Sequence, residues 1–310
     1  MPQVSIVIVC MNRPDILFPC LDGIREHTGV SYETLVVAYM FSPANLESLR
    51  ARYPWVTVIG SNSLRGFSEN NNLALRQAAG EYCFIVNDDT LMAMPVIDRL
   101  VTDLEKLPRA AAVSPKIVFP DGRIQTCGRA PWTMCRYMKH YLHLVDETRP
   151  SEWSMKDGLF RTWTLNGACF LARTSVFREA GWFDERYFFT PEDIALGHLF
   201  NDMGYEVWAD AEVVITHIAG GSVSRMEAAI KPARVAGAML FYAGSSRMRR
   251  FVLGAFIRLV EGARMLKYAL KGHGSGRNKL MYDTARNVRR AVMSGKLPRE
   301  VFETCYRPFD

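Results

Sequence analysis

Glu81–Thr90 reads E-Y-C-F-I-V-N-D-D-T, a short apolar run that stops abruptly at an acid pair. Tyr82–Val86 has the unbroken apolar character of a strand buried on both faces, as in a parallel sheet. Asn87, Asp88 and Asp89 then fall at the carboxyl end of that strand, where open α/β sheets bind their ligands. Two adjacent carboxylates are costly to hold close without a cation between them, and oxygen ligands suit Mg²⁺ or Mn²⁺. Taken alone, the stretch supports two readings. One is a metal site that holds the phosphates of a ligand; the other is a solvated turn, for which Asn-Asp-Asp is equally good chemistry.

On the amino-terminal side, β-branched and apolar runs predict strands at Val4–Cys10, Tyr32–Ala38 and Val56–Ile59, with a fourth at Glu81–Val86. Between them lie helical patterns. The first opens at Pro14 and places Leu17, Cys20, Leu21 and Ile24 on one face; the others cover Asn45–Tyr53 and Ser68–Ala79. This alternation predicts right-handed βαβ units and a mostly parallel central sheet flanked by helices. Further on, a helix is expected over Val96–Leu107 and a strand over Ala111–Val118. Residues 120–160 are irregular, a mobile or substrate-facing segment. Trp163–Ala172 reads as a strand, Ser175–Ala180 and Ile194–Met203 as helices, and Glu206–Trp208 and Val213–His217 as two short strands. From Glu227 the pattern is helical and basic. Two domains are expected, residues 1–225 and 226–310.

The 310 residues, 49% hydrophobic and 23% charged, have an ordinary globular composition with ample core. A secretory leader is not expected, because an apolar strand begins almost at once. No charge-free run is long enough to span a bilayer. The seven cysteines are scattered without a Cys-x-x-Cys, and read as reduced core residues of a cytosolic protein. The net charge of +6 is uneven: residues 225–310 hold 18 Lys+Arg against 6 Asp+Glu, or +12, which leaves −6 for residues 1–224. A basic tail on an acidic body suggests an anionic surface as partner.

Three further places could carry chemistry. Glu192-Asp193 begins a helix, either as a cap favoured by the helix dipole or as a general base for a hydroxyl. His217 ends an apolar strand before Gly220-Gly221-Ser222, either as a plain core or surface residue or as a metal ligand. Asn62–Asn72, with Gly66 inside it, is a loop before a helix that can offer backbone N–H groups to phosphate.

In order along the chain these pieces resemble the family 2 glycosyltransferases of the GT-A fold, especially the branch with bacterial rhamnosyltransferases. The resemblance rests on V-S-I-V-I-V-C-M-N at 4–12, N-S-L-R-G-F-S-E-N-N-N at 62–72, A-A-G-E-Y-C-F-I-V-N-D-D-T at 78–90 and S-P-K-I-V-F-P-D-G-R-I-Q-T-C-G at 114–128. It continues in L-N-G-A-C-F-L-A-R at 165–173, F-D-E-R-Y-F-F-T-P-E-D-I at 183–194 and H-I-A-G-G-S at 217–222. It implies an inverting transferase that uses a divalent metal, Mn²⁺ or Mg²⁺, and a nucleotide-diphosphate sugar, with dTDP-L-rhamnose as first candidate. The acceptor it implies is a glycan or lipid-linked glycan of a bacterial surface polysaccharide or lipopolysaccharide. By the same resemblance, Asp89 and His217 are the metal ligands. Asn12, Gly66, Asn72, Asn87 and Asp88 line the donor pocket, Asp193 is the base, and Glu192, Trp163 and Asn166 lie on the acceptor side. The sequence departs from the family in three ways. Ala38 stands where an Asp usually reads the nucleotide base, Asn87 replaces the first Asp of the Asp-x-Asp motif, and Ala195 replaces the second Asp of Glu-Asp-x-Asp. Other expectations within this frame are a different nucleotide-sugar donor, or a catalytically weak scaffold that keeps the fold.

Ser246–Lys271 alternates apolar and basic residues and predicts an amphipathic helix or helix pair with a cationic side. Such a helix lies on an anionic membrane surface, or else packs Phe251, Phe256 and Leu259 on the enzyme core. Nucleic acid is not expected as a partner. The expected location is cytoplasmic, peripheral on the inner face of the plasma membrane.

Overall fold

The computed structural model of the chain describes residues 1–146, 156–218, 227–272 and 276–306. Part of the irregular 120–160 segment (147–155) and the glycines after His217 lie outside them. The elements in order are β1 (Val4–Met11), α1 (Pro14–His27), β2 (Tyr32–Tyr39), α2 (Pro43–Arg52), β3 (Val56–Ser61), α3 (Phe67–Leu75), β4 (Tyr82–Asn87), β5 (Thr90–Leu91), α4 (Val96–Lys106), β6 (Ala110–Val118), β7 (Ile124–Thr126) and α5 (Met134–Tyr141). There follow β8 (Leu159–Thr162), β9 (Cys169–Arg173), α6 (Thr174–Glu179), α7 (Glu192–Asp202), β10 (Glu206–His217), α8 (Glu227–Ala238), α9 (Arg247–Leu270), α10 (Gly276–Ser294) and α11 (Pro298–Cys305).

Two compact units divide the chain. The first comprises Met1–Pro131, Asp146–Asp184 and Glu192–Ala219. It holds one sheet with the order β3-β2-β1-β4-β9-β6-β10-β5, with β7 beside β6 and β8 beside β10. The expected parallel pairing holds from β3 to β4. It ends at β9, which runs antiparallel to both β4 and β6, so the whole sheet is mixed. Alternate residues of each strand feed two cores. Ile6, Ile8, Phe84 and Val86 meet Leu17 and Leu21 of α1 and Leu100 and Leu104 of α4. Val7, Val37, Cys83 and Ile85 meet Leu75 of α3, Phe177 of α6 and Phe200 of α7. This two-sided burial explains the unbroken apolar runs. Gly80 enters β4 so close to β1 that a Cβ there would lie 2.5 Å from Ser5 N.

Two local expectations need correction. Trp163–Ala172 is not one strand: β8 ends at Thr162, residues 163–168 form a loop, and β9 starts at Cys169. Asn166 breaks the run with an Asx turn, its Oδ1 accepting from Ala168 N at 2.9 Å. Conversely, Glu206–Trp208 and Val213–His217 belong to a single strand, β10, whose pairing to β6 is irregular between Asp210 and Val214. Asp210 Oδ1 accepts from Glu212 N at 2.8 Å and stabilises that irregularity.

The second unit comprises Trp132–Val145, Glu185–Pro191 and Gly220–Asp310, and is helical in its described residues. At its centre Glu261 of α9 is fully buried. Its Oε1 accepts from Tyr141 Oη, from Lys231 Nζ at 3.2 Å and from Arg264 Nη1 at 2.5 Å. Arg264 also lies over the Tyr141 ring at 5.0 Å. A buried carboxylate needs such partners, and here one oxygen collects three.

Candidate active site

The first unit gathers its polar side chains around the carboxyl end of β4. Asn87 closes that strand, its N–H donating to Ala168 O at 2.9 Å and its carbonyl accepting from Thr90 Oγ1 at 2.9 Å. The chain then turns and enters β5, which pairs antiparallel with the end of β10, Thr90 facing His217. That pairing brings His217 Nε2 to 3.0 Å from Asp89 Oδ1 and 3.3 Å from Asn87 Nδ2. The other ring nitrogen, Nδ1, donates to Gln125 Oε1 at 2.8 Å, from the neighbouring β7. Gln125 therefore turns Nε2 toward the acid pair.

Asp88 meets Cys10 of β1 and has Arg13 nearby. Burial raises its carboxyl to about 6, and the repulsion of Asp89 adds to this, while the Cys10 thiol and Arg13 oppose the rise. The Cys10 thiol, buried beside that carboxylate, is itself pushed far up and stays protonated. Burial likewise pushes the Cys20 thiol to about 12; it lies behind the turn, 3.6 Å from Thr90 Oγ1. Cys10, Cys20, Cys83, Cys127 and Cys169 are all buried, and none is in a disulfide.

Asp193, on the first turn of α7, sits in a polar cage. Its Oδ2 accepts from Arg129 Nη1 at 2.8 Å and Gly167 N at 3.1 Å, and its Oδ1 from Ile194 N at 2.7 Å. Both side chains of the ion pair are largely buried, Arg129 at 10% and Asp193 at 16% exposure. Arg129 also donates to Leu165 O at 2.5 Å, and its backbone exchanges hydrogen bonds with Thr162 Oγ1. Consecutive residues Gly167 and Ala168 thus bond Asp193 and Asn87 respectively, bringing the acid of α7 and the acid turn of β4 to the same end of one short loop.

Other expected site residues have the following surroundings. Glu192 is buried beside Asp193 at the start of α7. Trp163 and Asn166 are half-buried in the 163–168 loop, where Trp163 packs edge-on to His198 at 6.0 Å. Asn12, at φ 51°, accepts from Ser42 N at 2.9 Å and Asn45 Nδ2 at 2.8 Å, and so ties the end of β1 to α2. Gly66 caps α3, its N–H donating to Glu69 Oε2 at 2.9 Å; the helix begins at Phe67, so Asn70, Asn71 and Asn72 lie inside it rather than in a loop. Asn72 is buried, exchanging hydrogen bonds with the Phe183 backbone at 2.9 and 3.1 Å. Ala38 is buried at the end of β2. Next to it, the hydroxyl of Tyr39 accepts from Arg65 N at 3.3 Å.

Gln125 and Arg129 were not singled out from sequence. Both follow the Asp121-Gly122 turn, in or just after the D-G-R-I-Q-T-C-G block; an Arg and a Gln in an otherwise small and apolar stretch are the only local signal.

A divalent ion fits the Asp89–His217 pair. An imidazole nitrogen and a carboxylate oxygen 3.0 Å apart are donors of the kinds that would hold such an ion. Among the described residues no third His, Cys, Asp or Glu completes a cage.

The sheet is parallel over β3-β2-β1-β4 and mixed beyond, with an acid turn at the end of β4, and its fold is the GT-A fold of the solved structures given below. Residues 5–149 match the family model for glycosyl transferase family 2. The chain is 28% identical over 227 residues to the O-antigen biosynthesis protein RfbC of Myxococcus xanthus, a match covering 70% of this chain and 17% of that protein. It is 28% identical over 198 residues to an N-acetylglucosaminyl-diphospho-decaprenol L-rhamnosyltransferase of Mycobacterium tuberculosis, covering 54% of this chain and 60% of that one. The chain thus spans less than two thirds of either relative. Among solved structures, GalNAc-T7 with UDP, GalNAc and Mn²⁺ superposes with a TM-score of 0.56 at 15% identity, over 81% of this chain and 54% of that one. The mannosyltransferase PcManGT from Pyrobaculum calidifontis, in complex with GDP-Man and Mn²⁺, gives 0.55 at 17%, over 98% and 79%.

Proposed function

We propose that the chain is an inverting, metal-dependent glycosyltransferase. It moves a sugar, L-rhamnose as first candidate, from a nucleotide-diphosphate donor to a glycan or lipid-linked glycan in the synthesis of a bacterial surface polysaccharide or lipopolysaccharide. The observation that carries this reading is the pairing of two acidic centres across the Gly167–Ala168 loop: Asp89 with His217 on one side, Asp193 with Arg129 on the other.

The two centres suit the two halves of the reaction. Asp193 accepts the proton of the acceptor hydroxyl, whose oxygen attacks the anomeric carbon from the face opposite the diphosphate. The carbon–oxygen bond to the diphosphate breaks, its electron pair leaves on the phosphate oxygen, and the configuration inverts. Arg129 and Gly167 keep the Asp193 carboxylate oriented during this transfer. Asp89 and His217 would hold a divalent ion, which when bound offsets the charge gathering on the leaving diphosphate. Asn87 and Asp88 complete the rim on the donor side.

Support for a rhamnosyl donor comes from the name of the mycobacterial relative. Ala38, in place of an Asp at the base-reading position, favours testing other nucleotide sugars beside dTDP-L-rhamnose. An acceptor carried on a membrane lipid places the enzyme on the cytoplasmic side of the plasma membrane, held peripherally; no described helix is long and apolar enough to cross a membrane. Asp193→Ala is the decisive variant. Transfer is expected to vanish while Mn²⁺-dependent binding of the nucleotide sugar persists. Unchanged transfer would remove Asp193 as the base.

A further inference from the structure

Helix α9 has two apolar faces, and only one is used inside its own unit. On the inner face Leu253, Gly254 and Ile257 are buried. Gly254 lets α10 approach so closely that a Cβ there would meet Val292 Cγ1 at 3.3 Å. Glu261, bound by Tyr141, Lys231 and Arg264, locks the same face. The outer face is different. Phe251 is 73% exposed, Leu259 75% and Leu270 80%, with Met248 and Leu266 exposed alongside. At 100° per residue Phe251, Met248, Leu266, Leu259 and Leu270 fall within a sector of about 120°. Arg247 and Arg258 border that sector on one side and Arg249 and Lys267 on the other. None of these four has an acidic partner among the described residues. Continuous with the stripe is an open groove floored by Leu142, Leu259, Val260 and Ala263, with Arg264 and Lys267 at its edge.

An exposed apolar stripe of this extent marks an interaction surface. We infer that the outer face of α9 docks in the plane of an anionic lipid bilayer. Its 24 residues run about 36 Å, long enough to lie along a bilayer surface. The apolar side chains enter the acyl boundary, while the flanking Arg and Lys reach outward to lipid phosphates. A second copy of the chain is the less suitable occupant, because it would bring two unpaired cationic borders face to face. The Glu261 anchor holds the helix in place, so the surface is preformed. The inference deepens the membrane attachment of the proposed function by giving it a surface, and its test requires no sugar transfer.

The test is co-sedimentation of the full chain with vesicles of phosphatidylcholine, alone or mixed with phosphatidylglycerol. The wild-type chain is expected to bind the anionic vesicles roughly tenfold or more tightly than the neutral ones. The Leu259→Glu/Leu266→Glu variant changes only exposed positions, keeps its melting temperature, and is expected to lose at least about tenfold in that binding. Arg258→Glu/Lys267→Glu is expected to weaken binding to the anionic vesicles alone. Asp193→Ala keeps full vesicle binding, so a failure of the catalytic reading leaves this result standing. Equal binding to both vesicle types, undiminished binding by Leu259→Glu/Leu266→Glu, or no binding by the wild type overturns the inference. So does a dimer in sedimentation velocity that this variant dissolves while vesicle binding stays unchanged, since the stripe then belongs to a second copy.

Discussion

Arg129→Met tests most directly how the Asp193 cage works. The substitution keeps much of the side chain's length and removes the charge. In the wild type Nη1 lies 2.8 Å from Asp193 Oδ2 with both side chains mostly out of solvent. Removing one partner of a buried pair costs about 3–5 kcal/mol, because a charge remains behind without compensation. Asp193 retains the N–H groups of Gly167 and Ile194, which argues for the lower end, about 3 kcal/mol. A double-mutant cycle with Asp193→Asn, read by urea unfolding, isolates the pair. Against the neutral asparagine the cost of Arg129→Met should shrink by about 2 kcal/mol. In steady-state kinetics, loss of orientation at the base should lower kcat roughly a hundredfold with little change in the KM for the donor. Arg129→Lys should recover part of it, since a single charge returns without the planar fork. The reasoning fails if Arg129→Met costs the same stability in both backgrounds, or if it leaves kcat within about twofold of wild type while Asp193→Asn is inactive.

Three other outcomes follow from particular contacts. Gln125→Leu frees His217 Nδ1 and with it the orientation of the ring, so Mn²⁺ affinity, measured by electron paramagnetic resonance, should fall about 10- to 100-fold with the fold intact. Asp103 of α4 is buried against Asp210, and burial foremost, then the shared hydrogen bond, raises its carboxyl to about 6. An acid raised in the folded state stabilises most below its unfolded pKa of about 3.9, and that contribution is lost as pH rises through about 6. The Asp103 contribution to the unfolding free energy should therefore decline by about 3 kcal/mol across that window, so the stability difference between wild type and Asp103→Asn should shift by about that amount; a difference that does not vary with pH would exclude Asp103 as its source. Glu261→Ala strands the cations of Lys231 and Arg264 in a buried position, and should lower stability by about 3–5 kcal/mol in thermal or urea unfolding; a change within about 0.5 kcal/mol would mean that the cluster carries no net stability.

The sequence was most legible where local pattern and burial coincide. Ile6–Cys10, Leu35–Tyr39 and Tyr82–Val86 are unbroken apolar runs because both faces of the sheet are covered, and their alternation with helices predicts the parallel half. Direction was harder to read. Cys169–Arg173 is equally apolar whichever way it runs, and only its long-range pairing to β4 and β6 makes it antiparallel. The helix at Phe67–Leu75 was legible as Ser68–Ala79, but its three asparagines also favoured a loop up to Asn72; here two of them turn their amides back onto Phe67 and Gly66 carbonyls. Around the two acids, standing in or beside a recognisable block did not reveal a residue's partner: Gln125 lies inside one and Arg129 just after it, and what each meets is fixed only by folding. Gln125 meets His217 across 92 positions, and Arg129 meets Asp193 across 64. An arginine reads as surface until its carboxylate is found.

The irregularity in β10 has a consequence for how this site tolerates change. Its pairing with β6 steps from Asp210–Pro115 directly to Val214–Lys116, so Ala211, Glu212 and Val213 are looped out. Side chains alternate along a paired strand, and the three unpaired residues break the count, so the alternation beyond them starts afresh. The side on which His217 emerges is set by the pairing that resumes at Val214–Lys116 and runs to His217–Thr90, not by a count from Glu206. A change in the length of the loop-out leaves the imidazole toward Asp89 as long as that later pairing holds. The irregularity thus acts as slack between the first half of β10, which serves the core, and its last residues, which serve the site.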